Sequence, residues 1–314
     1  MLSLISANSV TKGDRPVLFQ KTLASSVTFE GIGLHSGQPV RVTLRPAPVN
    51  TGVVFVVEGV EIRAYFDNIV DTNHATCLGA DGVVVRTVEH LLAALAAQRV
   101  DNVYAEVTGP EIPVMDGSAW PFVDAIRRVG AVSQDAYRRY IKILKEVTVH
   151  EGDKSASALP SSTSRMTYRI DFNDSLIGEQ ERSIDIDPES FADELARART
   201  FVYLADVELL QKAGLARGGS PDNAIVVDGD RVLNEGGLRY RDEFVRHKML
   251  DAVGDLSLVG APIIAHFVAD KSGHKLNSRL VREVLSDPDA WIVVEGGQAL
   301  DEAELGLSLY ETAS

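Results

Sequence analysis

Residues 243–259, EFVRHKMLDAVGDLSLV, read as one amphipathic helix. Apolar residues recur at Phe244, Val245, Met249, Leu250, Ala252, Val253 and Leu256, at roughly the 3.6-residue period of an α-helix. A narrower polar stripe runs beside them. His247, Asp251 and Asp255 follow at i, i+4 and i+8, so their side chains stand one above another on one face. A neutral imidazole and a carboxylate one turn apart can share a divalent metal, as two histidines at that spacing do in an H-E-x-x-H helix. An ordinary solvated His–Asp pair has the same spacing. The metal reading therefore needs a third ligand and catalytic groups from elsewhere in the chain.

At 314 residues the chain is long enough for two domains. Its apolar and charged fractions fit a soluble globular protein. A net charge of −14, with no basic stripe, argues against a nucleic-acid binder. It leaves room for an anionic small molecule met by one local Lys or Arg. Cys77 is the single cysteine, so neither a disulfide framework nor a cysteine zinc cage is available. The opening MLSLISANSVTKGDR lacks the basic and apolar regions of a signal peptide, and no run of about 18 apolar residues occurs. A cytoplasmic monomer is the expectation.

Outward from the helix, the chain reads as two similar halves. After an extension over 1–20, strands are expected at Val27–Glu30, Val40–Leu44 and Val53–Val57, around the turn Gly31–Gly37. Thr87–Ala97 is a Leu- and Ala-rich helix with Thr87 as its N-cap and Glu89 and His90 in its first turn. Val103–Val107 reads as a strand, and Ser118 caps a second helix to about Val129. Gly130–Tyr137 has the composition of a linker. The second half repeats the layout, with strands at Tyr140–His150 and Arg165–Phe172, a helix over Val202–Leu215, the organising helix, a strand at Ile263–Val268 and a helix over Leu276–Leu285. The expected fold is α+β: two similar domains, 21–132 and 138–286, each a mainly antiparallel sheet with two helices, then a tail over 287–314.

A catalytic zinc site takes three protein ligands, and His247 and Asp251 supply two. Among seven histidines, His150 reads as surface and His266 as a satisfied core residue, while His35 in its glycine-rich turn could face a ligand. His90 is the best third ligand, because adjacent Glu89 could act as general base on a water that the metal acidifies. An amide hydrolase also needs oxyanion stabilisation and a proton for the leaving amine. His274 lies on a turn, Asp255 could orient it in its charged form, and Thr200 could donate its hydroxyl to the oxyanion. Spacing alone does not bring these residues together.

Seven stretches carry a family resemblance in order: Gly31–Gly37 (GIGLHSG), Thr87–Leu95 (TVEHLLAAL), Pro113–Ser118 (PVMDGS), Ala198–Phe201 (ARTF), Gly218–Ser220 (GGS), Arg246–Asp251 (RHKMLD) and Ser272–His274 (SGH). Together they resemble the UDP-3-O-acyl-N-acetylglucosamine deacetylases, zinc amidases that commit precursors to lipid A. The resemblance implies zinc, or Fe2+ in the cell, on His90, His247 and Asp251. It implies Glu89 as general base, His274 as general acid or oxyanion partner, Asp255 as its orienting carboxylate and Thr200 as an oxyanion donor. Lys248 would meet the charged part of a UDP-linked acylated glucosamine, and Phe201 would pack on the sugar. It also implies helices sandwiched between the two sheets. An insert over about 202–227 would line an acyl passage with Leu204, Val207, Ala216, Ala224 and Val226, although the sequence alone favours ordinary core packing for them. His74, Arg217 and the run Lys275-Leu276-Asn277-Ser278 depart from the family pattern and bear on acyl preference, not on the metal or the base. A catalytically silent nucleotide-sugar or acyl binder and a zinc amidase of another substrate class are the competing readings. Both Glu89 and His274, whose loss would mark a silent binder, are present.

Overall fold

The computed structural model describes residues 18–172 and 176–296. The first half runs β1 (Val27–Ile32), β2 (Pro39–Pro46), β3 (Val53–Val57), β4 (Val60–Arg63), α1 (Glu89–Ala97), β5 (Val103–Thr108) and α2 (Trp120–Val129). The second half runs β6 (Val147–Glu151), β7 (Lys154–Leu159), β8 (Arg165–Asp171), β9 (Glu179–Asp185), then α3 (Leu204–Lys212), α4 (Glu243–Ser257), β10 (His266–Asp270) and α5 (His274–Ser286).

Strand order shows the duplication that residue identities hide. The first sheet is ordered β1-β2-β5-β3-β4 and the second β6-β7-β10-β8-β9. In each, the last strand enters between two hairpins, antiparallel to one neighbour and parallel to the other. One helix precedes that strand and one follows it. Both halves also carry their extra segment at the same point, between the fourth strand and the helix that follows the segment. In the first half it is a small sheet of Ile69–Asp71, Cys77–Ala80 and Val83–Val85. In the second it is α3 with Phe201–Tyr203, Ile225–Asp228 and Arg231–Val232.

Alternation places one face of each sheet inward. Val40, Val42 and Leu44 of β2 are buried while Arg41 and Arg45 face out. Met166, Tyr168 and Ile170 of β8 do the same in the second sheet. The helices fill the space between the sheets: α5 lies on β6 and β7, α4 on β8 and β9, and α1 packs along α4. A helix covered on several sides loses its polar face to the interior. Accordingly α1 buries eight of its nine residues, and in α4 His247, Asp251 and Asp255 are buried with the apolar stripe.

The crossing of α1 and α4 is close. A Cβ on Gly254 would lie 2.1 Å from the carbonyl oxygen of Glu89. Glycine inside a helix costs about 1 kcal/mol against alanine, so the contact explains its presence. Gly254→Ala is expected to push the helices apart and destabilise the chain by about 1–3 kcal/mol, seen as a lower melting temperature despite alanine's better helix propensity.

Several expectations are corrected. Gly130–Tyr137 is not a linker: Ala131–Tyr137 pairs antiparallel with Phe19–Leu23, so Phe19 and Gln20 belong to a strand rather than to an extension. Trp291–Glu295, expected in a tail, pairs with Arg139–Ile143. Thr87 does not cap α1. It takes a left-handed conformation, φ 57°, and its hydroxyl donates to Glu111, while Val88 stands at the cap. Ser118 is not the N-cap of α2 either: Ala119 stands there, and the Ser118 hydroxyl accepts the Trp120 N–H from one residue further out. Residues 1–17 and 297–314 lie outside the described residues.

Candidate active site

Three elements meet where α1 crosses α4. The first turn of α1 brings Glu89 and His90. The inner face of α4 brings His247, Asp251 and Asp255. The first residue of α5 is His274. All are buried or nearly so.

Asp251 Oδ1 lies 3.4 Å from His90 Nε2 and 3.3 Å from His247 Nε2. The His90 and His247 rings stand nearly perpendicular, centroids 5.0 Å apart. Ligand atoms of a tetrahedral zinc with bonds of about 2.0–2.1 Å are separated by roughly 3.3 Å, which is the spacing found between Asp251 and each imidazole, and the three donor atoms all lie within 4.8 Å of one another. Oδ1 is moreover a buried acceptor without a hydrogen-bond partner. Such an oxygen is costly to leave alone, and a dication shared with the two imidazoles would satisfy it. Among the described residues, these three form the one cluster of His, Cys, Asp or Glu able to hold a metal ion.

The surroundings orient the donors. His247 Nδ1 donates to the Ala198 carbonyl at 3.0 Å, which leaves the Nε2 lone pair facing Asp251. That carbonyl is itself fixed, because Arg199 reaches the buried Glu243 of α4 through both its backbone N–H and its guanidinium. Burial lowers the His247 pKa to about 4, so the ring is neutral as a ligand must be. Burial opposes ionisation of Asp251, but the His247 imidazole and the Lys248 ammonium beside it override that and hold the carboxyl well below its usual range. Lys248 Nζ donates to Asp251 Oδ2 at 3.1 Å.

Glu89 is raised by burial, against the pull of His274 and His90. A carboxylate made more basic in this way is suited to accept a proton near neutral pH. Its Oε2 accepts the Thr76 backbone N–H at 3.0 Å. His274 behaves oppositely. Burial favours its neutral form, yet the charge and hydrogen bond of Asp255 hold its pKa up to about 9. The bond runs from Nδ1 to Asp255 Oδ2 at 2.9 Å, and Asn277 donates to the same oxygen. One proton acceptor and one charged donor thus flank the metal-type cluster, an arrangement able to take a proton from water and give one to a leaving group.

The other expected residues fall at varying depth around this centre. The Phe201 ring lies 6.4 Å from that of His247, edge-on. Thr200 is held by its backbone to Gly117 and Ile225. Ala224 and Val226 are buried, Ala216 is half-buried with its N–H on His35 Nδ1, Val207 is half-buried and Leu204 is exposed; α3 has no buried residue. His35 is buried and His150 exposed, and His266 is half-buried on Thr167 at the sheet surface. Thr76 and Asn277, which hold Glu89 and Asp255, had no local signal in the sequence.

Fold and donor set define a class: a duplicated α+β chain with a buried candidate metal centre. The family model described as UDP-3-O-acyl N-acetylglycosamine deacetylase matches residues 20–286. A relative in Myxococcus xanthus (strain DK1622), named UDP-3-O-acyl-N-acetylglucosamine deacetylase, is 50% identical over 279 residues, 88% of this chain and 89% of its own. Relatives of the same name in Alcanivorax borkumensis and Hahella chejuensis are 48% and 50% identical, covering 90% and 88% of this chain and 95% and 93% of their own. The chain belongs to the UDP-3-O-acyl N-acetylglycosamine deacetylase family. No helix among the described residues is long and apolar enough to cross a membrane.

Proposed function

We propose that this chain removes the N-acetyl group of UDP-3-O-(3-hydroxyacyl)-N-acetylglucosamine, releasing acetate and a free 2-amine, an early committed step of lipid A biosynthesis. The observation that carries the reading is the buried His90, His247 and Asp251 cluster flanked by Glu89 and His274, in a chain half identical to relatives of that name. The donor set suits zinc, with Fe2+ as the alternative in the cell. Such a dication would polarise the acetamide carbonyl and bring the pKa of water toward about 7.

The protein groups do the rest. Glu89 accepts the proton of the attacking water. His274, protonated and held by Asp255, stabilises the developing negative charge and then protonates the departing amine. The Thr200 hydroxyl adds a donor to the oxyanion. Lys248 meets the charged part of the substrate, Phe201 packs against the sugar, and the insert carrying Leu204, Val207, Ala216, Ala224 and Val226 receives the acyl chain.

The charged form of His274 is the working form. Activity should therefore decline as pH rises through its pKa. Asp255 raises that pKa, so Asp255→Asn is expected to move the alkaline limb of the kcat/KM profile to lower pH as well as lowering its plateau. A limb that stays in place would remove His274 from this role.

The deciding experiment measures acetate release from the acylated UDP-sugar by protein loaded with one equivalent of zinc and by the same protein after chelation. Zinc-dependent release is expected. No release from loaded protein over several acyl lengths would overturn the reading in favour of a silent binder or another amide substrate.

A further inference from the structure

Thr76 lies in the first half's extra segment, just before the strand Cys77–Ala80, and is completely buried. It is bonded to both sides of the proton-transfer pair. Its backbone N–H donates to Glu89 Oε2 at 3.0 Å, and its carbonyl accepts the Val88 N–H at 3.2 Å. Its hydroxyl donates to Asp255 Oδ1 at 2.5 Å, across to α4 of the other half. Asp255 Oδ2 is taken by His274 and Asn277, and the Asn277 amide oxygen is itself held by Ser272.

We propose that Thr76 is a positioning residue that locks Glu89 and His274 in register, with its hydroxyl fixing the plane of the Asp255 carboxylate. The inference rests on the deacetylase reading of the site. With both oxygens engaged, the carboxylate cannot turn about its χ2 axis, so the direction of the His274 ring is set relative to Glu89. Without the hydroxyl, Oδ1 becomes a buried acceptor lacking its donor, and the carboxylate is pinned at one oxygen only. The backbone bond to Glu89 needs no side chain and would persist. The hydroxyl thus serves alignment across the two halves, while the backbone of the same residue serves the base.

Thr76→Val keeps the branched shape and the backbone bond and deletes only the hydroxyl. Thr76→Ser keeps the hydroxyl. In the metal-loaded full chain, Thr76→Val is expected to lose about 10–100-fold in kcat, the usual cost of an outer-shell hydrogen bond, with KM and bound metal near wild type and a lower melting temperature from the unpaired Asp255 oxygen. Thr76→Ser should restore most of the loss. A Thr76→Val kcat equal to wild type, an equal fall in both variants, or a fall that tracks lost metal would each overturn the inference. Wild type assayed in parallel separates the two levels. A silent wild type refutes the deacetylase reading and this inference with it, whereas an active wild type with undiminished Thr76→Val refutes the inference alone.

Discussion

Glu89→Gln is expected to lower turnover about 10²–10⁴-fold, the range a positioned general base contributes, with the metal content unchanged. The side chain sits in the first turn of α1 beside His90, yet it is not a member of the candidate three-donor cluster. Glutamine has nearly the same shape, and its amide oxygen can still accept the Thr76 N–H that now meets Oε2. What it cannot do is take a proton. Burial raises the pKa of the Glu89 carboxyl, which strengthens it as a base and makes its loss more costly. Steady-state acetate release combined with metal analysis of the same sample checks the expectation. Wild-type turnover in the variant would move the base elsewhere, and a parallel loss of metal would make Glu89 a structural support of the cluster.

The half of the site on α4 was legible because one helix carries it. A 3.6-residue period dictates that His247, Asp251 and Asp255 share a face, whatever the rest of the chain does. Spacing left open whether that face was solvated. The sandwich of helices between sheets answers it, and Gly254 closing on the Glu89 carbonyl is the contact that brings the two parts together. His90 was legible as the histidine with a carboxylate beside it in a helix's first turn. Thr76 was not legible at all, since its partners Glu89 and Asp255 lie 13 and 179 residues away. The strand Ala131–Tyr137 escaped for a related reason. Its residues are mostly exposed, so no buried alternation marks it, and its partner strand lies more than a hundred residues earlier. Thr87 shows a local rule overridden: the residue type suits a cap, but Glu111 takes its hydroxyl and the backbone turns left-handed instead. The same Glu111 also receives the backbone N–H groups of His35 and Ser36, so the glycine-rich turn and the entry to α1 share one buried carboxylate.

His247→Ala is expected to cut turnover by at least about 10³-fold, because charge stabilisation by a bound dication is worth several kcal/mol and each 1.36 kcal/mol is tenfold. Two effects add in the variant. One imidazole ligand is gone, and the Asp251 carboxylate, already carrying a buried oxygen without a donor, loses the neighbour 3.3 Å away. A thermal readout separates metal loss from misfolding. Zinc binding to the native chain alone should raise its stability by RT ln(1 + [L]/Kd), about 4 kcal/mol at a thousandfold excess over Kd. Wild type should therefore melt higher with zinc than after chelation. The variant should melt at one temperature in both conditions, below chelated wild type because a buried imidazole is replaced by a cavity, while the Ala198 peptide that His247 engages stays anchored through the Arg199–Glu243 pair. A variant that gained the full zinc-dependent rise would place the metal outside the His90, His247 and Asp251 cluster. The orphaned Asp251 oxygen would then need another partner, and the two imidazoles beside it would be packing groups.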